Sequence, residues 1–283
     1  MIRFIDTHKT YPGQINVSPA YHALKGISLA LGQGETLGLI GQNGAGKSTS
    51  IRLIMGYMRA DQGKVIVLGD ENSSPATRQH IGYLPEISAL PSNLTCMELL
   101  RFVGHCSGVQ KKQMDERSEM LLERLGIWHE RKRRLNTYSK GMQQRASFAA
   151  ALMHDPELLI LDEPMSGLDP IGRSEIIGLI HDLRSQGKSI LFCSHLLDDV
   201  ERITDRVAII HQGHMLYDGA ITDLCADQTE WSIDMQDGEV MAAYDEKELS
   251  ALLHQHANRI IGVRQARESL QDAFVRVVQG FQA

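Results

Sequence analysis

Among 283 residues, the stretch Gly41-Gln42-Asn43-Gly44-Ala45-Gly46-Lys47-Ser48-Thr49 most constrains what the chain can become. It fits G-x-x-x-x-G-K-[ST], a spacing that lets backbone wrap around a run of phosphates. Gly41, Gly44 and Gly46 free the backbone to point successive N–H groups, from Asn43 to Thr49, at phosphate oxygens. Lys47 can reach the terminal phosphates, and the Ser48 hydroxyl suits Mg²⁺. The context is the one this geometry needs. Thr36–Ile40 is a short apolar run that reads as a buried strand, and Ser50–Gly56 reads as a helix ended by its glycine. The start of that helix adds partial positive charge beside the loop.

Strand, loop, helix implies an α/β chain, and the length allows one large domain with a smaller one. Residues 221–283 hold eleven acidic and five basic side chains, net −6, which equals the whole chain's −6. Residues 1–220 are therefore near neutral, and 221–283 reads as an appendage. A negative chain argues against nucleic-acid binding through bulk charge. Cys96, Cys106, Cys193 and Cys225 show neither CxxC nor zinc spacing and read as reduced thiols of a cytosolic protein. The N-terminus lacks the apolar core of a signal peptide, and no stretch approaches the ~18 apolar residues that span a bilayer.

Ile2–Asp6 reads as a first strand. Tyr11 follows in a loop that continues past Ser18, and Leu24–Leu31 reads as a second strand. Lys64–Leu68 is a further strand. From Leu94 the pattern turns helical, with Thr95-x-x-Glu98 as a capping box, and the spacing predicts helices over 114–125 and 141–154. Arg131–Arg134 is a basic run that reads as a solvated connector. The pattern then predicts a helix over 174–184, a buried strand over 189–193, a short helix over 197–203 and a hairpin across Gln212-Gly213. The appendage shows two strands, 232–235 and 259–263. Its helices are Glu246–Leu253 and an amphipathic one at Leu270, Phe274, Val277 and Val278, capped by Gly280.

Leu158-Leu159-Ile160-Leu161 is apolar on both faces, as in a covered parallel sheet, and delivers Asp162 and Glu163 at its end. A strand end beside a phosphate loop is where such a sheet places ligand chemistry. Asp162 suits Mg²⁺ opposite Ser48, and Glu163 suits the general base that polarises an attacking water.

Tyr138-Ser139-Lys140-Gly141-Met142-Gln143-Gln144-Arg145, shortly before that strand, resembles the signature sequence of ATP-binding-cassette (ABC) ATPases. Ser166-Gly167-Leu168-Asp169 resembles their D-loop, and Ser194-His195 their switch histidine. The resemblance covers residues 1–220 with the motifs in family order. It implies a P-loop NTPase core with an N-terminal antiparallel β subdomain and an inserted helical subdomain at about 87–154, followed by a small α+β extension at 221–283. It implies an ATPase using ATP and Mg²⁺ that works as a homodimer. In such a dimer Ser139 and Gly141 face the other copy's ATP, Asp169 acts across the interface, and His195 senses the γ-phosphate. Ser139 is independently a good N-cap. Tyr11 is the aromatic implied for adenine, with Tyr21 as the alternative.

Two residues depart from the family pattern. Glu86, in Ile81-Gly82-Tyr83-Leu84-Pro85-Glu86, stands where the family carries Gln, and Lys140 replaces a signature Gly. Glu86 can still serve Mg²⁺ but cannot donate a hydrogen bond to water. Lys140 either points away from the nucleotide or offsets phosphate charge across the dimer. Together with the extension, these stretches resemble the branch that serves exporter-type (ABC-2) permeases. The resemblance implies a separate integral-membrane permease, a cytoplasmic location at the inner face of the membrane, export, and no nucleic-acid partner. The rivals are a soluble ABC ATPase acting on DNA or ribosomes and a regulator that binds ATP without turning it over.

Overall fold

The computed structural model describes residues 1–13, 19–71, 74–87, 89–225, 229–243 and 245–282, so the predicted loop position Ser18 lies outside the described residues. The chain divides into two compact units, Met1–Asp218 and Gly219–Ala283.

The first unit opens with β1 (Ile2–Tyr11), β2 (Tyr21–Leu31), β3 (Thr36–Ile40), α1 (Lys47–Ile54), β4 (Gln62–Val67), the single turn α2 (Pro75–Arg78) and β5 (Ile81–Leu84). Three helices follow, α3 (Cys96–Cys106), α4 (Lys111–Arg124) and α5 (Lys140–Leu152). The remainder is β6 (Leu158–Asp162), α6 (Pro170–Ser185), β7 (Ser189–Ser194), α7 (Leu197–Ile203), β8 (Arg206–His211) and β9 (His214–Ala220).

β2, β1 and β4 form an antiparallel sheet in that order. β1 is longer than the pattern predicts. A register shift between Phe4 and Thr7, with Asp6 at φ +41°, bulges the strand, which then resumes to Tyr11. Tyr11, predicted in a loop, is therefore the last residue of β1, and its register partner is Tyr21.

The central sheet has the order β5-β6-β7-β3-β8-β9. β5 to β8 run parallel through β6, β7 and β3. β3, β6 and β7 are buried at every position, which explains their unbroken apolar runs. Because β3 lies between β7 and β8, the loop leaving its C-terminal end stands beside the ends of β7 and β6. Gln212 and Gly213 both take positive φ, as the tight turn between β8 and β9 requires.

α3, α4 and α5 pack around Leu100, Met114, Leu122 and Phe148. The predicted capping box forms: Glu98 N–H donates to Thr95 Oγ1 at 3.2 Å, and Thr95 N–H donates to Glu98 Oε2 at 2.8 Å. The basic run is a connector, with Arg131 stacked 3.8 Å over Trp128 and Arg133 paired with Glu130. α6 begins at Pro170, four residues before the predicted start, because Asp169 caps it and Pro170 fits its first turn.

The second unit carries α8 (Ile221–Leu224), β10 (Thr229–Met235), β11 (Val240–Ala243), α9 (Glu246–Gln255), β12 (Ile260–Arg267) and α10 (Leu270–Gln282). Its sheet has the order β11-β10-β12 and is antiparallel. The expected stop at Gly280 is overturned. α10 continues to Gln282, and Gly280 is not among the positive-φ glycines that end helices by left-handed geometry.

Candidate nucleotide site

The phosphate loop closes on its own backbone. Ala45 N–H donates to Gln42 O at 3.1 Å and Gly213 N–H to Ala45 O at 2.9 Å. Gly46 adopts φ +122°, and a Cβ there would meet Leu24 Cδ2 at 2.8 Å and Ala23 O at 2.9 Å, so only glycine fits. A Cβ at Gly41 would lie 2.3 Å from Ile210 O. α1 begins at Lys47 itself, earlier than the predicted Ser50, so the amides of Lys47, Ser48 and Thr49 are the unpaired first-turn donors of a helix. Lys47 is buried and donates from Nζ to Gly41 O at 2.5 Å and Gln42 O at 3.4 Å, drawn in across its own loop.

One cavity of about 200 Å³ joins Lys47, Ser48, Thr49, Glu86, Asp162, Glu163 and His195 with Asn43, Gly44 and Gly46 of the loop. Asp162 ends β6 opposite Cys193. Its carboxyl is pushed up to about 6, first by burial, then by the negative charges of Glu86 and Glu163, against the pull of Lys47. Glu163 takes φ +50°, a left-handed conformation that a non-glycine residue adopts only when its surroundings impose it. Glu163 N–H donates to Cys193 O at 2.8 Å, which turns the side chain off the strand and into the cavity. Three donors then hold the carboxylate. His195 N–H donates to Oε1 at 2.9 Å, His195 Nδ1 lies 2.8 Å from the same oxygen, and Ser194 Oγ donates to Oε2 at 3.2 Å. With Nδ1 so occupied, the imidazole is oriented by the acid, as a positioned acid–base pair requires.

Because its folded pKa is raised, Asp162 adds stability that is full below its unfolded value of 3.8 and is lost as pH rises through about 6. Asp162→Asn is therefore expected to raise the melting temperature of the nucleotide-free chain by a few °C at pH 7.5, with little change near pH 4. Melts at the two pH values check this. An equal shift at both would contradict the sign.

The aromatic candidates flank the loop from the ends of β1 and β2. Tyr11 Oη lies 3.4 Å from Thr49 Oγ1 and accepts from Arg52 at 3.4 Å. Tyr21, half exposed, donates from its hydroxyl to Gly44 O and lines the cavity, where Tyr11 does not.

The signature stretch packs against the loop that follows Glu163. Ser139 Oγ accepts from Met142 N–H at 3.2 Å and caps α5, and Gln144 Nε2 donates to Pro164 O at 3.0 Å. Gly141 lies close to Gly167 O. The Lys140 stem covers Gly167, where a Cβ would meet its Cγ and Cδ at 2.7 Å. Asp169 Oδ1 accepts from Gly172 N–H at 2.8 Å. Within one chain, then, Asp169 is a helix cap, and Ser139, Gly141 and Asp169 do not line the phosphate cavity. Arg145, the last residue of the signature stretch, has no role that its sequence position alone indicates. It bonds Leu125 O at 2.8 Å and pairs with Glu175 at 2.7 Å, tying α5 to α6. All four cysteines are free, and only Cys106 is exposed.

The family model described as "ABC transporter" matches residues 24–166. The chain is 36% identical over 275 residues to an uncharacterized ABC transporter ATP-binding protein of Synechocystis sp., covering 90% of this chain and 78% of that one. It is 32% identical to the bacitracin transport ATP-binding protein BcrA of Bacillus licheniformis, over 99% of this chain and 98% of that one. It is 40% identical to the linearmycin resistance ATP-binding protein LnrL of Bacillus subtilis, over 75% and 70%. Among solved structures, one described as the ATP binding subunit of an ABC transporter superposes with a TM-score of 0.75 at 25% identity, covering 98% of this chain and 99% of that one. A phosphate loop, a buried strand-end acid pair and a histidine-held carboxylate in one cavity agree with that likeness: the chain belongs to the ABC transporter family, as one of its ATP-hydrolysing proteins.

Proposed function

We propose that the chain is the ATPase subunit of an exporter, working as two copies on a separate integral-membrane permease of the ABC-2 type, at the cytoplasmic face of the membrane. The observation that carries the reading is the one cavity in which Lys47, Ser48, Asp162, Glu163 and His195 converge. A chain that only bound nucleotide would have no need of a buried base held by three donors. The names of relatives, for bacitracin transport, linearmycin resistance and Nod factor export, support the outward direction. Among the described residues no helix is long and apolar enough to cross a membrane.

The donor set fits Mg²⁺. Ser48 hydroxyl and Asp162 carboxylate are hard oxygen ligands in the same cavity, with Glu86 on its wall. When bound, the cation neutralises phosphate charge and polarises the terminal phosphoryl group. The loop amides from Asn43 to Thr49 and Lys47 hold the phosphates. Glu163 accepts a proton from the attacking water, and the His195 backbone and ring keep its carboxylate aimed. The Tyr11–Tyr21 edge offers an aromatic face for adenine. Ser139 and Gly141, absent from their own chain's cavity, are the groups a second copy would bring to this ATP, with Asp169 beside them.

The test is copurification from native membranes followed by ATPase assay of the solubilised assembly. The expected result is association with a polytopic membrane protein and faster turnover in its presence. A chain that stays free of membranes and is stimulated instead by DNA or ribosomes would contradict the exporter reading.

A further inference from the structure

Glu86 and Lys140, the two departures from the family pattern, face the same small space. A cavity of about 210 Å³ is lined by Glu86, Ile87, Lys140, Gln143, Gln144 and Ser166. It adjoins the phosphate cavity, and Glu86 is the residue common to the two linings. Glu86 is thus the wall between the phosphate cavity and the N-terminus of α5. Both side chains are exposed. Among the described residues neither Glu86 nor Lys140 forms an ion pair within 4.0 Å. The Lys140 stem lies on Gly167 in the loop that follows Glu163, and its side chain lines the cavity.

The charges on the two sides of Glu86 are unequal. On the phosphate side, Glu86 meets Asp162 and Glu163 against Lys47. A magnesium-bound triphosphate carries net negative charge, so its arrival makes that side less hospitable to a third carboxylate. On the other side stands Lys140, with the Ser166 hydroxyl able to donate a hydrogen bond to a carboxylate, while the side-chain amides of Gln143 and Gln144 are already engaged by the backbone carbonyls of Leu135, Tyr138 and Pro164.

We propose that Lys140 is the positioning partner of Glu86: a bound triphosphate drives the Glu86 carboxylate out of the phosphate cavity and onto Lys140, tying the segment after β5 to the N-terminus of α5. The proposal rests on the ATPase reading above. Nucleotide binding is thereby converted into a cross-link between the sheet and the signature helix. It also gives Glu86 a second place to stand, so that its charge opposes the triphosphate only until the pair closes.

A double-mutant cycle on the full chain tests this with Glu86→Gln, Lys140→Met and both together, and with Lys140→Arg as the charge-keeping control. Lys140→Met retains the stem over Gly167. Each is melted without nucleotide and with saturating MgATP, and the MgATP dissociation constant is measured for each. Without nucleotide the two substitutions are expected to add. With MgATP, Lys140→Met alone is expected to weaken binding about fivefold, Lys140→Arg about not at all, and the double variant to match Glu86→Gln within about twofold, a coupling of the size seen for contacting charges. Additive effects in both states, or equal coupling with and without nucleotide, would overturn the pair. If the wild-type chain bound and hydrolysed no ATP, the ATPase reading itself would fail. Normal turnover with an additive cycle would sink the pair alone.

Discussion

Glu163→Gln is expected to lower ATP turnover about 10²- to 10⁴-fold while leaving the nucleotide dissociation constant within about threefold. The amide has the shape of the carboxylate and can take the same φ +50° position at the end of β6. Its oxygen can still accept from the His195 amide, one of the donors that hold Oε1. What it loses is the ability to take a proton from water. Glu163 is only 9% exposed, so little bulk water stands ready to replace it as a base. The contrast with Glu163→Ala is informative, since alanine leaves Ser194 Oγ and His195 Nδ1 without their acceptor and loosens β7 beside the loop. Single-turnover hydrolysis and nucleotide titration of the Gln variant separate the chemical step from binding. An unchanged rate would remove Glu163 from the reaction.

Lys47→Ala is expected to act on binding itself, weakening ATP by about 10²-fold, the worth of one or two charge-assisted contacts to phosphate. Its Nζ lies against Gly41 O and Gln42 O, 8% of the residue is exposed, and its positive charge opposes the three acids that share the cavity. Removing it leaves Asp162 and Glu163 facing a triphosphate with no fixed cation between them. A fluorescent-nucleotide titration reads the change, and an affinity within threefold of the wild type would contradict the role given to this residue.

The central sheet was legible because its strands are buried on both faces and so read as continuous apolar runs, as in Leu158–Leu161. The phosphate loop is legible because its glycine spacing is short and contiguous, although the contacts that exclude a side chain at Gly46, with Ala23 and Leu24 of β2, come from elsewhere in the chain. β5 is not legible as a strand. At four residues with Gly82 inside, it has too little pattern, and it pairs only because β6 runs beside it. Tyr11 was placed in a loop because a bulge at Asp6 breaks the alternation, though the pairing continues to Tyr21. Gly280 was read as a helix stop from residue type alone, whereas a glycine stops a helix only when it turns left-handed.

The site shows the same division. Glu163 and His195 each stand out in the sequence for a separate reason, but 32 residues separate them, and the hydrogen bond from one to the other depends on β6 and β7 being neighbours. The common wall between the phosphate cavity and Lys140 is likewise invisible in one dimension, because Glu86 and Lys140 line one cavity only after the helical segment folds back on the loop behind Glu163. Short-range chemistry is written in the sequence, and the partners of that chemistry are chosen by the sheet order.

In the proposed reading the cavity is half of an ATP site, completed by Ser139 and Gly141 of a second copy. Sedimentation velocity of the Glu163→Gln chain in saturating MgATP distinguishes this from a self-sufficient site. A dimer holding two ATP molecules is expected, reverting to monomer when Ser139 is replaced by a bulky acidic residue. A chain that binds ATP tightly and remains a monomer at every concentration would contradict it.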